Sequence, residues 1–162
     1  MKLNSTTSEY TLPTELSKPS NNIWDYGILI HAEKKIGKTS LCSMIPGAFF
    51  MMTQPGAKSF ELFQKPVKSW EAFKAYVKLL EKDKKFKCVV IDHVDGAYKA
   101  CLRFVCERDG MDHPADEGYG KGWAAVTDEF DLWIERSRQH WAEQNGLDPG
   151  KFQMICALAI VP

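Results

Sequence analysis

A chain of 162 residues fits one domain and can bury a sizeable core. Hydrophobic residues make up 44% and charged residues 26%, an ordinary globular balance, and 21 basic against 21 acidic side chains exclude a global field drawing in nucleic acid or anionic lipid. No apolar run approaches the roughly 20 residues that span a bilayer, and the polar stretch Met1 to Asn22 lacks the apolar core of a signal peptide, so a cytoplasmic protein without a membrane partner is expected.

Residues 1–22, with Pro13 and Pro19 and few apolar anchors, are expected to form a flexible arm ahead of a domain over 23–162. The run Tyr26 to His31 is short and apolar, as a buried parallel strand would be. A loop follows from Ala32 to Ile36, then Gly37-Lys38-Thr39 opens a short helix ended by Pro46-Gly47. Ala48 to Thr53 predicts a second strand, closed by Gln54-Pro55-Gly56. Ser69 can cap a helix over 70–83, in which Trp70, Phe73, Val77 and Leu80 recur at helical spacing. The lysines at 82, 84, 85 and 87 read as a solvated helix end.

Cys88 to Asp92 predicts a third strand, and Gly96 to Arg108 a helix with Tyr98, Cys101, Leu102 and Val105 on one face. A loop from Asp109 to Gly122 leads into a long helix over 123–144, marked by Val126, Phe130, Ile134 and Trp141. Phe152 to Val161 is the last apolar run and predicts a fourth strand. Strands alternating with helices define an α/β sandwich with a mostly parallel sheet. The five cysteines, odd in number and mostly in apolar surroundings, read as reduced buried thiols, and Cys101, Cys106 and His113 match no common zinc spacing.

The chemistry concentrates after the first strand. In Ala32-Glu33-Lys34-Lys35-Ile36-Gly37-Lys38-Thr39 the spacing is that of G-x-x-x-x-G-K-[ST], with Ala32 in place of the first glycine. Such a loop turns backbone N–H groups onto phosphates, its lysine supplies a point charge and its hydroxyl ligates magnesium. Ala32, Lys35, Ile36, Gly37, Lys38, Thr39 and Ser40 are therefore expected to surround the phosphates of ATP. Ala32 is expected to strain the loop if that position needs a positive φ. Asp92, after four apolar residues, is expected to hold Mg2+ beside the Thr39 hydroxyl. Asp95 suits either the magnesium shell or a helix cap, and His31 and His93 suit packing or hydrogen bonding near the nucleotide. Gly118, Gly120 and Gly122 with Lys121 suggest a flexible loop near the C-terminal edge of the sheet, where ligands bind in open α/β sheets.

These stretches, together with Val89-Val90-Ile91-Asp92-His93-Val94-Asp95-Gly96 and the run from His113-Pro114 to Gly118-Tyr119-Gly120-Lys121-Gly122-Trp123, resemble phage-encoded RecA-like ATPases of viral recombination and single-strand annealing. The resemblance covers roughly residues 26–135. It implies a three-layer P-loop NTPase (RecA-like) core, ATP hydrolysis, a single-stranded DNA partner and sites that homo-oligomers complete between subunits. It also implies a glutamate after the second strand to polarise the attacking water, where this chain has Gln54. Lys38, Gln54 and Asp92 become the catalytic candidates, with slow or absent hydrolysis expected because a carboxamide cannot take a proton as a carboxylate does. The family's further strands and sensor motif are not found after about Ser137, which reads as a shortened C-terminus. A small-molecule or nucleoside kinase and a non-catalytic nucleotide-binding module remain alternatives. A GTPase is disfavoured, since no D-x-x-G occurs in the chain.

Overall fold

In the computed structural model the described residues are 28–144, except 34, 84 and 87, the strand 153–159, and a few positions between 14 and 21; side chains are described as far as 137. The expected N-terminal arm, Trp141 as a packing residue, and the lysines at 84 and 87 thus lie outside the described residues.

Five strands form one parallel sheet: β1 (Ile28–Ala32), β2 (Ala48–Met52), β3 (Phe63–Pro66), β4 (Cys88–Asp92) and β5 (Gln153–Ala159). Their spatial order is β1-β5-β4-β2-β3. Register is set by Ile28 beside Ile155, Cys88 beside Gln153, Ala48 beside Cys88, and Phe49 beside Phe63. The expected α/β architecture with a parallel sheet holds.

β2 and β4 are buried at every position because helices or loops cover both faces. One face carries α2 (Trp70–Leu80), α3 (Val94–Asp109) and α4 (Lys121–Gln144), packed around Phe49, Met51, Val89 and Ile91. The other carries the short α1 (Lys38–Ser43), whose Cys42 packs with Phe50, Met52, Cys88 and Val90. Strand alternation decides this split: odd residues of β2 and β4 meet the three helices, even ones meet α1.

The helical periodicities place their faces as read. Trp70, Phe73, Val77 and Leu80 are all buried, and Ser69 Oγ accepts from Ala72 N at 3.2 Å, the expected cap. On α3, Cys101 and Val105 are fully buried while Tyr98 and Leu102 pack at the margin. Glu129 of α4 draws the three helices together: it accepts from Trp70 Nε1 at 2.9 Å, Lys74 Nζ at 3.3 Å and Arg108 Nη1 at 3.3 Å.

β3 is a strand that the sequence pattern does not announce. Phe-Gln-Lys-Pro has one apolar residue at its start and a proline at its end, a composition tolerated only on a sheet edge, and β3 is an edge. The loop over 109–122 is also more ordered than its composition suggests. It contains two short 3₁₀ turns, the first capped by His113, whose Nδ1 accepts from Ala115 N at 3.1 Å.

Candidate functional site

The C-terminal ends of β1, β2 and β4 are neighbours of one open cleft of about 450 Å³. It is lined by Lys35, Gly37, Lys38, Thr39 and Ser40 after β1, by Gln54, Pro55 and Phe60 after β2, and by Asp92 and His93 at the end of β4. Five of the seven loop residues singled out for phosphate binding therefore line it. Ala32 and Ile36 do not: Ile36 is 67% exposed, and Ala32 contributes only its carbonyl oxygen, to Lys38.

The expected strain at Ala32 is absent. Ala32 is the last residue of β1, with extended backbone that alanine adopts freely. The left-handed positions are Lys35 (φ 63°) and Gly37 (φ 101°), and at Gly37 the missing side chain matters.

Lys38 is only 9% exposed. Its ammonium group folds back across the loop and donates to the carbonyl oxygens of Ala32 at 2.8 Å and Glu33 at 2.6 Å. Thr39 Oγ1 donates to Asp92 Oδ2 at 3.0 Å, joining positions 53 residues apart. Asp92 is 3% exposed, and its other oxygen lies 3.1 Å from His93 Nδ1, outside hydrogen-bonding geometry. His93 has φ 65°, a conformation uncommon for a residue with a side chain and one that collects at functional sites.

The strand order matters here. β5 lies between β1 and β4, so the loop and Asp92 stand two strand spacings apart, about 10 Å. Thr39, in the first turn of α1, bridges that gap. The oxygens of Thr39 and Asp92 are separated by about the edge of an octahedron with metal–ligand distances near 2.1 Å, the geometry magnesium requires. Among the described residues no group of three His, Cys, Asp or Glu could hold a metal alone, so a cation here must take its other ligands from water or a phosphate-bearing ligand. The residues present fit magnesium in that partial sense.

Other expected site residues fall elsewhere. His31 is exposed on β1 and does not line the cleft. Asp95 lies in the first turn of α3 without acting as its cap; its Oδ1 is shielded and has no hydrogen-bond partner. The glycine loop is not at the cleft: no residue from 113 to 123 lines it, because α3 carries the chain 16 residues away from Asp92 first. Tyr119 at its tip is fully exposed at φ 59°. Phe60 and Pro55 were missed, for neither residue type signals a site by itself.

Burial holds the nearby thiols protonated. Burial raises Cys42 to about 11, with the Asp92 charge adding to it, and burial raises Cys88 to about 12, with Cys42 contributing.

A parallel α/β sheet bearing a G-K-T loop, with its hydroxyl on a strand-end aspartate, defines the class of P-loop nucleotide-binding proteins. Residues 25–139 match the AAA domain family, and the chain belongs to that family. It is also similar to the SPbeta prophage-derived uncharacterized protein YorG of Bacillus subtilis (strain 168), with 26% identity over 134 residues. That match covers 79% of this chain and 39% of YorG, so the chain spans about two fifths of that relative's length. No helix among the described residues is long and apolar enough to cross a membrane.

Proposed function

We propose that the chain binds ATP with magnesium in the cleft between the G-K-T loop and Asp92, and hydrolyses it slowly. The observation that carries this reading is the 3.0 Å contact of Thr39 Oγ1 with Asp92 Oδ2. It sets side by side two oxygen atoms suited to magnesium, in the lining of a cleft that also holds Gly37 and Lys38.

The roles follow from the side chains. Backbone N–H groups from Lys35 to Ser40 face phosphate oxygens, and the Lys38 ammonium moves from two loop carbonyls to the β- and γ-phosphates. Thr39 and Asp92 supply oxygens to the cation, which when bound neutralises charge on the phosphates. Gln54 lines the same cleft, which supports a role for it in orienting a water at the γ-phosphate. Its carboxamide holds that water without accepting its proton, so turnover stays below the few per second of ordinary enzymes.

Single-stranded DNA is the proposed partner, in the host cytoplasm during phage recombination. This is supported by the resemblance to recombination ATPases and by the prophage origin of the relative. With equal numbers of acidic and basic residues, such binding has to come from a local surface.

Isothermal titration with ATP, with and without Mg2+, tests the nucleotide reading. Magnesium-dependent binding that Lys38→Ala weakens by well over tenfold supports it; no binding at millimolar ATP refutes it. Titration of short single strands at low salt, where phosphate contacts are strongest, tests the partner.

A further inference from the structure

The turn that carries Gln54 is fastened to the turn that carries His93 through one residue, Thr53. The β2–β4 ladder ends at the pair Met52 and Asp92, and both Gln54 and His93 lie just beyond it. Thr53 continues the attachment. Its backbone N–H donates to Asp92 O at 3.3 Å, and its hydroxyl reaches the carbonyl oxygens of Asp92 at 2.9 Å and His93 at 2.6 Å. A hydroxyl has one proton, so it is shared between these acceptors with the shorter contact favoured.

The opposite side of this contact is built to fit. Gly96 N donates back to His93 O at 2.9 Å, closing the first turn of α3. A methyl group at Gly96 would collide with Thr53 Oγ1 and lie 2.8 Å from Thr53 Cβ. Gly96 therefore needs no unusual backbone angle; it is glycine because Thr53 occupies the space of its side chain. Glycine inside a helix weakens that helix, so the close approach is bought at a cost. His93, between the two, is held in a left-handed conformation that an unsupported chain would leave.

Thr53 does not line the nucleotide cleft, and it forms part of the wall of a neighbouring one with Gln54, Lys58 and Lys68. Any effect on nucleotide is thus exerted through Gln54 on one side and Asp92 with His93 on the other. We propose that the Thr53 hydroxyl is a positioning residue that fixes Asp92 and Gln54 relative to one another for magnesium-bound nucleotide. This rests on the nucleotide reading above.

The test compares Thr53→Val, Thr53→Ser and Gly96→Ala with the wild type in ATP titrations with Mg2+ and with EDTA, alongside melting of the ligand-free proteins. Valine keeps the shape and removes the hydroxyl; it should cut the magnesium-dependent gain in ATP affinity about tenfold and leave the EDTA affinity within about twofold, as expected for losing one or two hydrogen bonds. Serine keeps the hydroxyl and should retain the gain. Gly96→Ala leaves Thr53 intact but displaces it, and should lose the gain as valine does, so the proposal stays testable if the valine variant melts early. A valine variant with the wild-type magnesium gain, or one weakened equally with and without magnesium, overturns this proposal alone. A wild type that binds no Mg·ATP overturns the nucleotide reading and this proposal with it.

Discussion

Lys38→Ala separates a phosphate-binding lysine from one that merely knits its loop. In the ligand-free protein the ammonium group donates to two carbonyls at 2.8 and 2.6 Å. Binding exchanges these neutral acceptors for charged phosphate oxygens, so only the difference appears as affinity. An ammonium–phosphate bond, charged on both sides, gains about 1–1.5 kcal/mol over an ammonium–carbonyl bond charged on one side only, and two such exchanges give a net of about 2–3 kcal/mol. That corresponds to an ATP affinity about 30- to 150-fold weaker. The loss of folding stability should be smaller, about 1 kcal/mol, because Ala32 is only half-buried and Glu33 exposed, so their freed carbonyls can take water. Titration calorimetry with Mg·ATP gives the first number and urea unfolding the second. An affinity within threefold of the wild type, or a stability loss larger than the affinity loss, would refute the assignment and make Lys38 a structural residue.

Four further outcomes are expected. Gln54→Glu should raise ATP turnover at least tenfold, since a positioned carboxylate base typically contributes about 10²–10⁴, and a steady-state phosphate-release assay showing no rise would remove Gln54 from the water site. Glu129→Ala leaves three donors without their acceptor, including the indole of Trp70, itself 1% exposed; the expected loss is about 2–4 kcal/mol by urea denaturation, and a loss under 1 would contradict the hub role. Gly122→Ala places a methyl against the Pro114 carbonyl, 2.9 Å from its Cα, and should cost about 1–3 kcal/mol in the same assay, with ATP affinity unchanged because Gly122 is remote from the cleft. Cys42 and Cys88 stay protonated in the native state up to about pH 11–12 while unfolded thiols ionise near 9.0, so their contribution is intact below pH 9 and drains away above it, by up to about 1.4 kcal/mol per pH unit for each thiol. Unfolding midpoints from pH 8 to 11 and alkylation rates of the native protein check this; rapid labelling of either thiol at pH 8 would count against their burial.

The parts of the site legible in the sequence are those whose signal is local. A run of apolar residues, a G-K-T triplet and an aspartate after four apolar residues each announce themselves within ten positions, and the structure brings Thr39 and Asp92 together. The regular spacing of Trp70, Phe73, Val77 and Leu80 likewise survives because one helix face is enough to specify it. What escaped depends on proximity between distant segments. Nothing in Thr53 or Gly96 reveals that one fills the space the other leaves. The glycine loop at 118–122 was misplaced because composition suggests flexibility but carries no direction, and the length of α3 decides where the loop lies. The motif spacing puts Ala32 at the first glycine, yet that position is the last of β1; among the described loop residues the backbone turns left-handed at Lys35 and Gly37. β3 was missed because an edge strand need not be apolar.

The position of β5 between β1 and β4 sets an order of assembly. Among the described strands β1 is the earliest in the chain and β5 the latest, and β1 pairs there with β5 alone. A chain synthesised as far as α3 can pair β2, β3 and β4 and cover them with α2 and α3, while β1 still lacks its hydrogen-bonded neighbour. Contacts over such sequence separation form late. In the proposed nucleotide site the G-K-T loop and Asp92 thus stand on strands that acquire a common hydrogen-bonded neighbour when β5 enters the sheet.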